Sequence, residues 1–170
     1  FIPIKVFYLK IHIKVVSFNK YFMENKTKIA VVGMGLMGSQ HLKAIKLSKK
    51  ATLHSIVDIN KSSSLQAQKF NVPFYKNYQE LLKNNKPDAV IIATPNQFHE
   101  KHTSEFLKSK IPVLLEKPIA DNIKSAEKII KNSKKNNTQL LIGYHRRHNN
   151  IASALKKKIN TGQLGKIVSV

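Results

Sequence analysis

The sequence predicts a doubly wound α/β fold, a mostly parallel sheet with helices on both faces. Three observations carry this expectation. Short apolar runs alternate with longer amphipathic stretches from Thr27 onward. The run "AVIIA" at Ala89–Ala93 is continuously apolar and β-rich, as a strand covered on both faces must be. A glycine cluster, "VVGMGLMGSQH" at residues 31–41, follows the first such run directly.

Taken in order, Lys28–Val32 is a strand and Leu36–Lys49 a helix, with Met37, Leu42, Ile45 and Leu47 available for a packed face. Thr52–Val57 is a second strand, Ser63–Phe70 a helix, Pro73–Tyr75 a short strand and Tyr78–Lys83 a short helix. After the strand Ala89–Ala93 come a helix over Gln97–Ser109, with Asn96 as its N-cap, and a strand at Val113–Leu115. Ile123–Asn136 is a helix whose Ile123, Ala126, Ile129 and Ile130 recur at three-and-four spacing. Leu140–Gly143 is a strand, Ile151–Asn160 a helix, and Lys166–Val170 the start of another strand. In such a sheet, ligands sit outside the carboxyl ends of the strands. Gly33, Asp58, Thr94–Pro95, Glu116–Pro118 and Tyr144–Arg147 all follow predicted strand ends.

Length and composition narrow the class. The 170 residues suffice for one domain with a core. There are no cysteines, which removes disulfides, thiolate nucleophiles and thiolate metal sites, and fits a reducing, cytoplasmic setting. No metal site is expected. The net charge of +21 invites a nucleic-acid reading. Yet Arg146 and Arg147 are the only arginines among 30 basic residues, and the lysines are scattered through nearly every segment. Abundant Lys, Asn and Ile point to an A/T-rich genome, whereas phosphate and base recognition leans on arginine forks. A nucleic-acid partner is therefore not expected.

Residues 1–22 carry no acidic residue, and lysines interrupt their apolar runs, so they make neither a membrane span nor a signal peptide. Met23 opens "MENKTKIAVVG" like a natural start, and residues 1–22 read as an upstream or non-native extension. A basic interfacial strand or anchor is the alternative. Residues 23–148 form the nucleotide-binding unit, and residues 149–170 a linker helix leading into a second domain that looks cut off.

Gly33, Gly35 and Gly38 form G-x-G-x-x-G between a strand and a helix, the Rossmann fingerprint. The first glycine allows the tight turn, the second admits a pyrophosphate to the backbone, and the third lets helix and strand pack closely. The loop residues Leu36 and Met37 join the cofactor-binding set, because free N–H groups of the first helical turn face the anion there. Asp58 closes the second strand 20 residues past Gly38, where a carboxylate can accept from ribose hydroxyls and repel a 2′-phosphate. This favours NAD, although Lys61 and Ser62–Ser64 offer an alternative grip on NADP.

Lys117, in "EKP", can hydrogen-bond a substrate hydroxyl and stabilise a developing alkoxide, or be a solvated surface lysine. Arg146 and Arg147, in "GYHRRHNN", can bind substrate oxygens, a carboxylate or the cofactor, or form a structural ion pair. Thr94, Pro95 and Asn96 turn the chain on the nicotinamide side. His99 is more suited to bracing that turn than to chemistry, and His41 to packing.

Together "GMGLMGSQH", "VDIN", "ATPNQFHE", "EKPIA" and "GYHRRHNN", in this order, resemble the Gfo/Idh/MocA oxidoreductases from about Lys28 to Val170. The resemblance implies a second α/β domain that covers the active site and mediates homo-oligomerisation. It implies hydride transfer between NAD or NADP and a sugar, polyol or related carbinol. By position it places Gly33, Gly35, Gly38 and Asp58 on the adenosine diphosphate part, with Pro95, Asn96 and Glu116 on the nicotinamide side. Thr94, His99 and Arg146 belong to the same cofactor-binding set, and Lys117 is the active-site lysine, its bond to Pro118 often cis. The family's catalytic Asp-x-x-x-His lies in the second half, and no such pair occurs here. The chain alone is thus expected to bind dinucleotide without turnover. A non-catalytic nucleotide-binding or assembly module remains the alternative function.

Overall fold

A computed structural model describes residues 26–166, 168 and 169. Six strands form one parallel sheet: β1 (Thr27–Val32), β2 (Ala51–Val57), β3 (Phe74–Tyr75), β4 (Ala89–Ile92), β5 (Val113–Leu115) and β6 (Leu140–Ile142). Their spatial order is β3-β2-β1-β4-β5-β6. The order reverses between β1 and β4, which opens the ligand crevice of a doubly wound sheet at their carboxyl ends. The helices are α1 (Leu36–Lys46), α2 (Ser64–Lys69), α3 (Tyr78–Asn84), α4 (His99–Lys108), α5 (Ile123–Asn136) and α6 (Asn150–Asn160).

Alternation along the strands builds a core on each face of the sheet. Ala30, Val32, Val90 and Ile92 point one way and meet Leu81 of α3, Phe106 and Leu107 of α4, and Ile129 of α5. Val31, Ile56 and Ile91 point the other way and meet Leu42 and Ile45 of α1 and Ala67 of α2. Two-sided burial is why β4 is uniformly apolar.

Several boundaries differ from the sequence pattern for local reasons. The first helix ends at Lys46 rather than Lys49. The Ser48 hydroxyl accepts from the N–H groups of Lys50 and Ala51, which draws the chain out of the helix and starts β2 one residue early. Leu47 is left exposed and Met37 only half-buried, so Leu42 and Ile45 carry the packed face. A 3-10 turn at Lys61–Ser63, capped by the Asn60 side chain, precedes α2. Asn96 is not an N-cap but the first residue of a 3-10 turn, Asn96–Phe98, ahead of α4.

On α5 the inward stripe runs through Ala126, Ile129, Asn132, Ser133 and Asn136. Its contact with α4 is partly polar, with Asn132 donating to Ser104 and Lys128 pairing with Glu100. Ile130 therefore lies off the buried stripe, and Ile123 is 79% exposed. On α6, capped by Asn149, Ile151, Leu155 and Ile159 are exposed. The strand expected over Lys166–Val170 does not form among the described residues: Lys166 lies in a bend, and Val168 and Ser169 have no regular structure. Ile167 and Val170 lie outside the described residues, as do residues 1–22 and the expectation attached to them.

Candidate functional site

The three glycines of the loop between β1 and α1 stand in different surroundings. Gly33 has φ +91°, and a Cβ there would lie 2.7 Å from the Ala93 carbonyl oxygen and 2.8 Å from the Thr94 nitrogen. A Cβ on Gly38 would overlap the Gly33 carbonyl oxygen. Both positions are closed by the protein's own backbone. Gly35 differs: a Cβ there meets nothing within 4 Å, and the residue is exposed. It sits at the N-cap of α1, which has no side-chain cap and no acidic residue in its first turn. The first-turn N–H groups, including those of Leu36 and Met37, thus have no side-chain cap, and the positive end of the helix lies at the exposed Gly35. This is the geometry a diphosphate requires.

Asp58 closes the adjoining side. Its Oδ2 accepts from the Met34 N–H at 2.5 Å and its Oδ1 from the Asn60 N–H at 2.7 Å. The carboxylate thus ties the glycine loop to the loop after β2. Each oxygen retains a second lone pair for a sugar hydroxyl. Of the residues that offer a grip on a 2′-phosphate, Ser63 is buried and the Ser64 hydroxyl donates to the Lys61 carbonyl at 2.6 Å. Lys61 and Ser62 remain exposed.

Across the crevice, three further strand ends meet. Pro95 and Asn96 are exposed in the loop after β4, and Thr94 is half-buried with its hydroxyl 3.4 Å from His102 Nδ1. His102 stacks on Phe98, and burial, reinforced by the charges of Lys101 and His99, lowers its pKa to about 4. His99 is wholly buried, behind the loop, with both ring nitrogens on backbone carbonyls.

Glu116, at the end of β5, is only 5% exposed. Its Oε1 lies 2.7 Å from His41 Nε2 and its Oε2 accepts from the Lys117 N–H at 3.2 Å. Gly143, after β6, leaves the space this carboxylate occupies, since a Cβ there would lie 3.2 Å from the carboxyl group. His41 thereby links the glycine-loop helix to the Lys117 turn, a role that nothing in the sequence near His41 announces, because its partner lies 75 positions away. The Lys117–Pro118 bond is cis, and Lys117 is exposed. Arg146 and Arg147 are exposed in a 3-10 turn, His145–His148, with the Arg147 guanidinium 5.5 Å from the Tyr144 ring centroid. Among the described residues neither arginine pairs with a carboxylate.

The arrangement offers an anion cradle, a carboxylate for a neighbouring sugar, and an exposed ammonium on the same edge of the sheet. The Gfo/Idh/MocA family model, described as an oxidoreductase family with an NAD-binding Rossmann fold, matches residues 27–144. The myo-inositol 2-dehydrogenase of Thermotoga maritima is 28% identical over 141 residues, covering 82% of this chain and 42% of the relative. An inositol 2-dehydrogenase of an Arthrobacter species is 31% identical over 153 residues, covering 86% and 44%. Among solved structures, scyllo-inositol dehydrogenase from Lactobacillus casei with bound NAD(H) and scyllo-inositol superposes with a TM-score of 0.79 at 23% identity. That match covers 84% of this chain and 43% of the other. The chain thus spans less than half the length of these relatives.

Proposed function

Because the chain belongs to the Gfo/Idh/MocA oxidoreductase family, with its NAD-binding Rossmann fold, we propose that it is the cofactor-holding part of a dehydrogenase for a sugar, polyol or related carbinol. The relatives named as inositol dehydrogenases support this substrate class. The observation that carries the reading is the contrast among the glycines. Gly33 and Gly38 are filled by backbone, while Gly35 faces open space at an uncapped helix N-terminus.

The N–H groups of Leu36, Met37 and Gly38 receive the diphosphate, and Asp58 accepts from the adenosine ribose. Asp58 occupies the place where a 2′-phosphate would be repelled, and Ser63 and Ser64 are engaged elsewhere, so NAD is favoured over NADP. Thr94, Pro95, Asn96 and Glu116 border the nicotinamide half, with Arg146 at the far strand end. When bound, the nicotinamide supplies the hydride acceptor or donor. The Lys117 ammonium hydrogen-bonds the substrate hydroxyl and stabilises negative charge on that oxygen.

The division into a nucleotide-binding unit over residues 23–148 and a connecting segment over residues 149–170 belongs to the same proposal. So does a second domain that completes the substrate site, covers the exposed apolar residues of α6 and joins copies of the protein. No helix among the described residues is long and apolar enough to cross a membrane. A cytoplasmic location belongs to the same proposal.

Calorimetric titration with NAD and NADP tests the reading. Saturable binding, tighter for NAD, is expected, and no saturable binding of either would refute it. A second reading is a nucleotide-binding module without turnover. Sequencing the gene past the codon for Val170 separates the two: an in-frame second half carrying Asp-x-x-x-His favours the dehydrogenase, and a stop there favours the module.

A further inference from the structure

His99 opens α4, and its ring is 0% exposed. Its Nε2 lies 2.8 Å from the Thr94 carbonyl oxygen, and its Nδ1 lies 2.8 Å from the Pro118 carbonyl oxygen. The two acceptors belong to separate segments. Thr94 leads the loop after β4, and Pro118 follows Lys117 in the turn after β5. One side chain therefore spans the two loops that border the proposed nicotinamide site.

A carbonyl oxygen only accepts, and a neutral imidazole has a single N–H. The ring therefore donates to one of the two carbonyls and keeps its other nitrogen 2.8 Å from the second, so it sets the spacing of both loops. The ring is too deeply buried to touch a dinucleotide, so any effect on binding passes through the loops it holds.

We propose that His99 is a positioning residue whose buried ring bridges the Thr94 and Pro118 carbonyls and so fixes the gap between the two loops into which the nicotinamide half of the dinucleotide fits. This rests on the cofactor reading above. It differs from a role in general stability, because the two contacts hold one end of the site and not the glycine loop.

The test uses the full chain and its variants His99→Gln and His99→Asn, each of which keeps an amide donor. Calorimetry compares NAD with ADP-ribose, which lacks the nicotinamide. Thermal unfolding of each variant checks that it keeps the fold. The variants should weaken NAD about fivefold, the equivalent of one lost hydrogen bond, and ADP-ribose by less than about twofold. Equal weakening of both ligands, or no weakening of either, would overturn the inference. If the unsubstituted chain binds neither ligand, the cofactor reading itself fails. If it binds both and the variants match it, only the role of His99 falls. Should neither variant fold, the inference falls, because His99 then serves general stability.

Discussion

The two halves of the crevice are built differently. On the side of β1 and β2, the site is a continuous stretch of backbone: Gly33 to Gly38 turn directly into α1, and one carboxylate, Asp58, pins the turn in place. On the side of β4, β5 and β6, three strand ends are brought together by side chains that reach across the sequence. His41 meets Glu116, and His99 meets both Thr94 and Pro118. The first half depends on where atoms are missing, the second on where polar atoms are matched. Glycine substitutions should therefore act as steric failures on one side. Changes of donor and acceptor should act as graded losses on the other.

The largest effect should come from the closed glycines. Gly38→Ala places a methyl group on the Gly33 carbonyl, and Gly33→Ala adds a positive φ to a contact at 2.7 Å. Each should cost about 3 kcal/mol or more in thermal or chemical unfolding. Gly35→Ala, with open space around it, should leave unfolding within about 0.5 kcal/mol and weaken NAD at least tenfold. Equal destabilisation by all three would erase the distinction on which the cofactor reading rests.

Next in size is the polar side. Glu116→Ala removes the partner of the half-buried His41 and the acceptor of the Lys117 N–H, and should cost about 2 kcal/mol in urea unfolding. Gly143→Ala crowds the same carboxylate at 3.2 Å and should give a smaller loss in the same assay. Asp58→Ala returns to the first half. Loss of its ribose contact should weaken NAD about tenfold and NADP less, read by paired titrations. An unchanged preference between the two would remove Asp58 from cofactor choice.

The same contrast explains what the sequence made legible. The glycine spacing, the acidic residue after β2 and the apolar run of β4 are local patterns, and the parallel sheet with helices on both faces follows from the alternation of strands and helices. Helix ends were less legible, because a single hydroxyl at Ser48 or a 3-10 turn at Asn96 shifts them by a few residues. The three-and-four spacing on α5 includes Ile123 and Ile130, which are exposed, while the contact with α4 is partly polar through Ser104 and Glu100. The links made by His41 and His99 join residues 75 and 19 positions apart. No spacing rule connects such pairs, and only the sheet order brings them together.

The smallest expected effect also belongs to the side-chain half, and it is a dependence on pH. His102 lies beside Tyr78 and stacks on Phe98, and burial above all holds its pKa at about 4, below the ordinary 6.5. Between those two values the unfolded chain binds more protons than the folded one, so stability falls as the pH drops through this window. Above about pH 6.5 the contribution is complete, and below about 4 no more is lost. His54, also lowered chiefly by burial, acts in the same direction. His102→Phe should therefore flatten the acid limb of a plot of melting temperature against pH without abolishing it, while His54 continues to titrate. An acid limb identical to that of the unsubstituted chain would mean that His102 takes up its proton in the folded state as readily as in the unfolded one. The Phe98–His102–Tyr78 cluster would then not shield the imidazole beside the β4 loop.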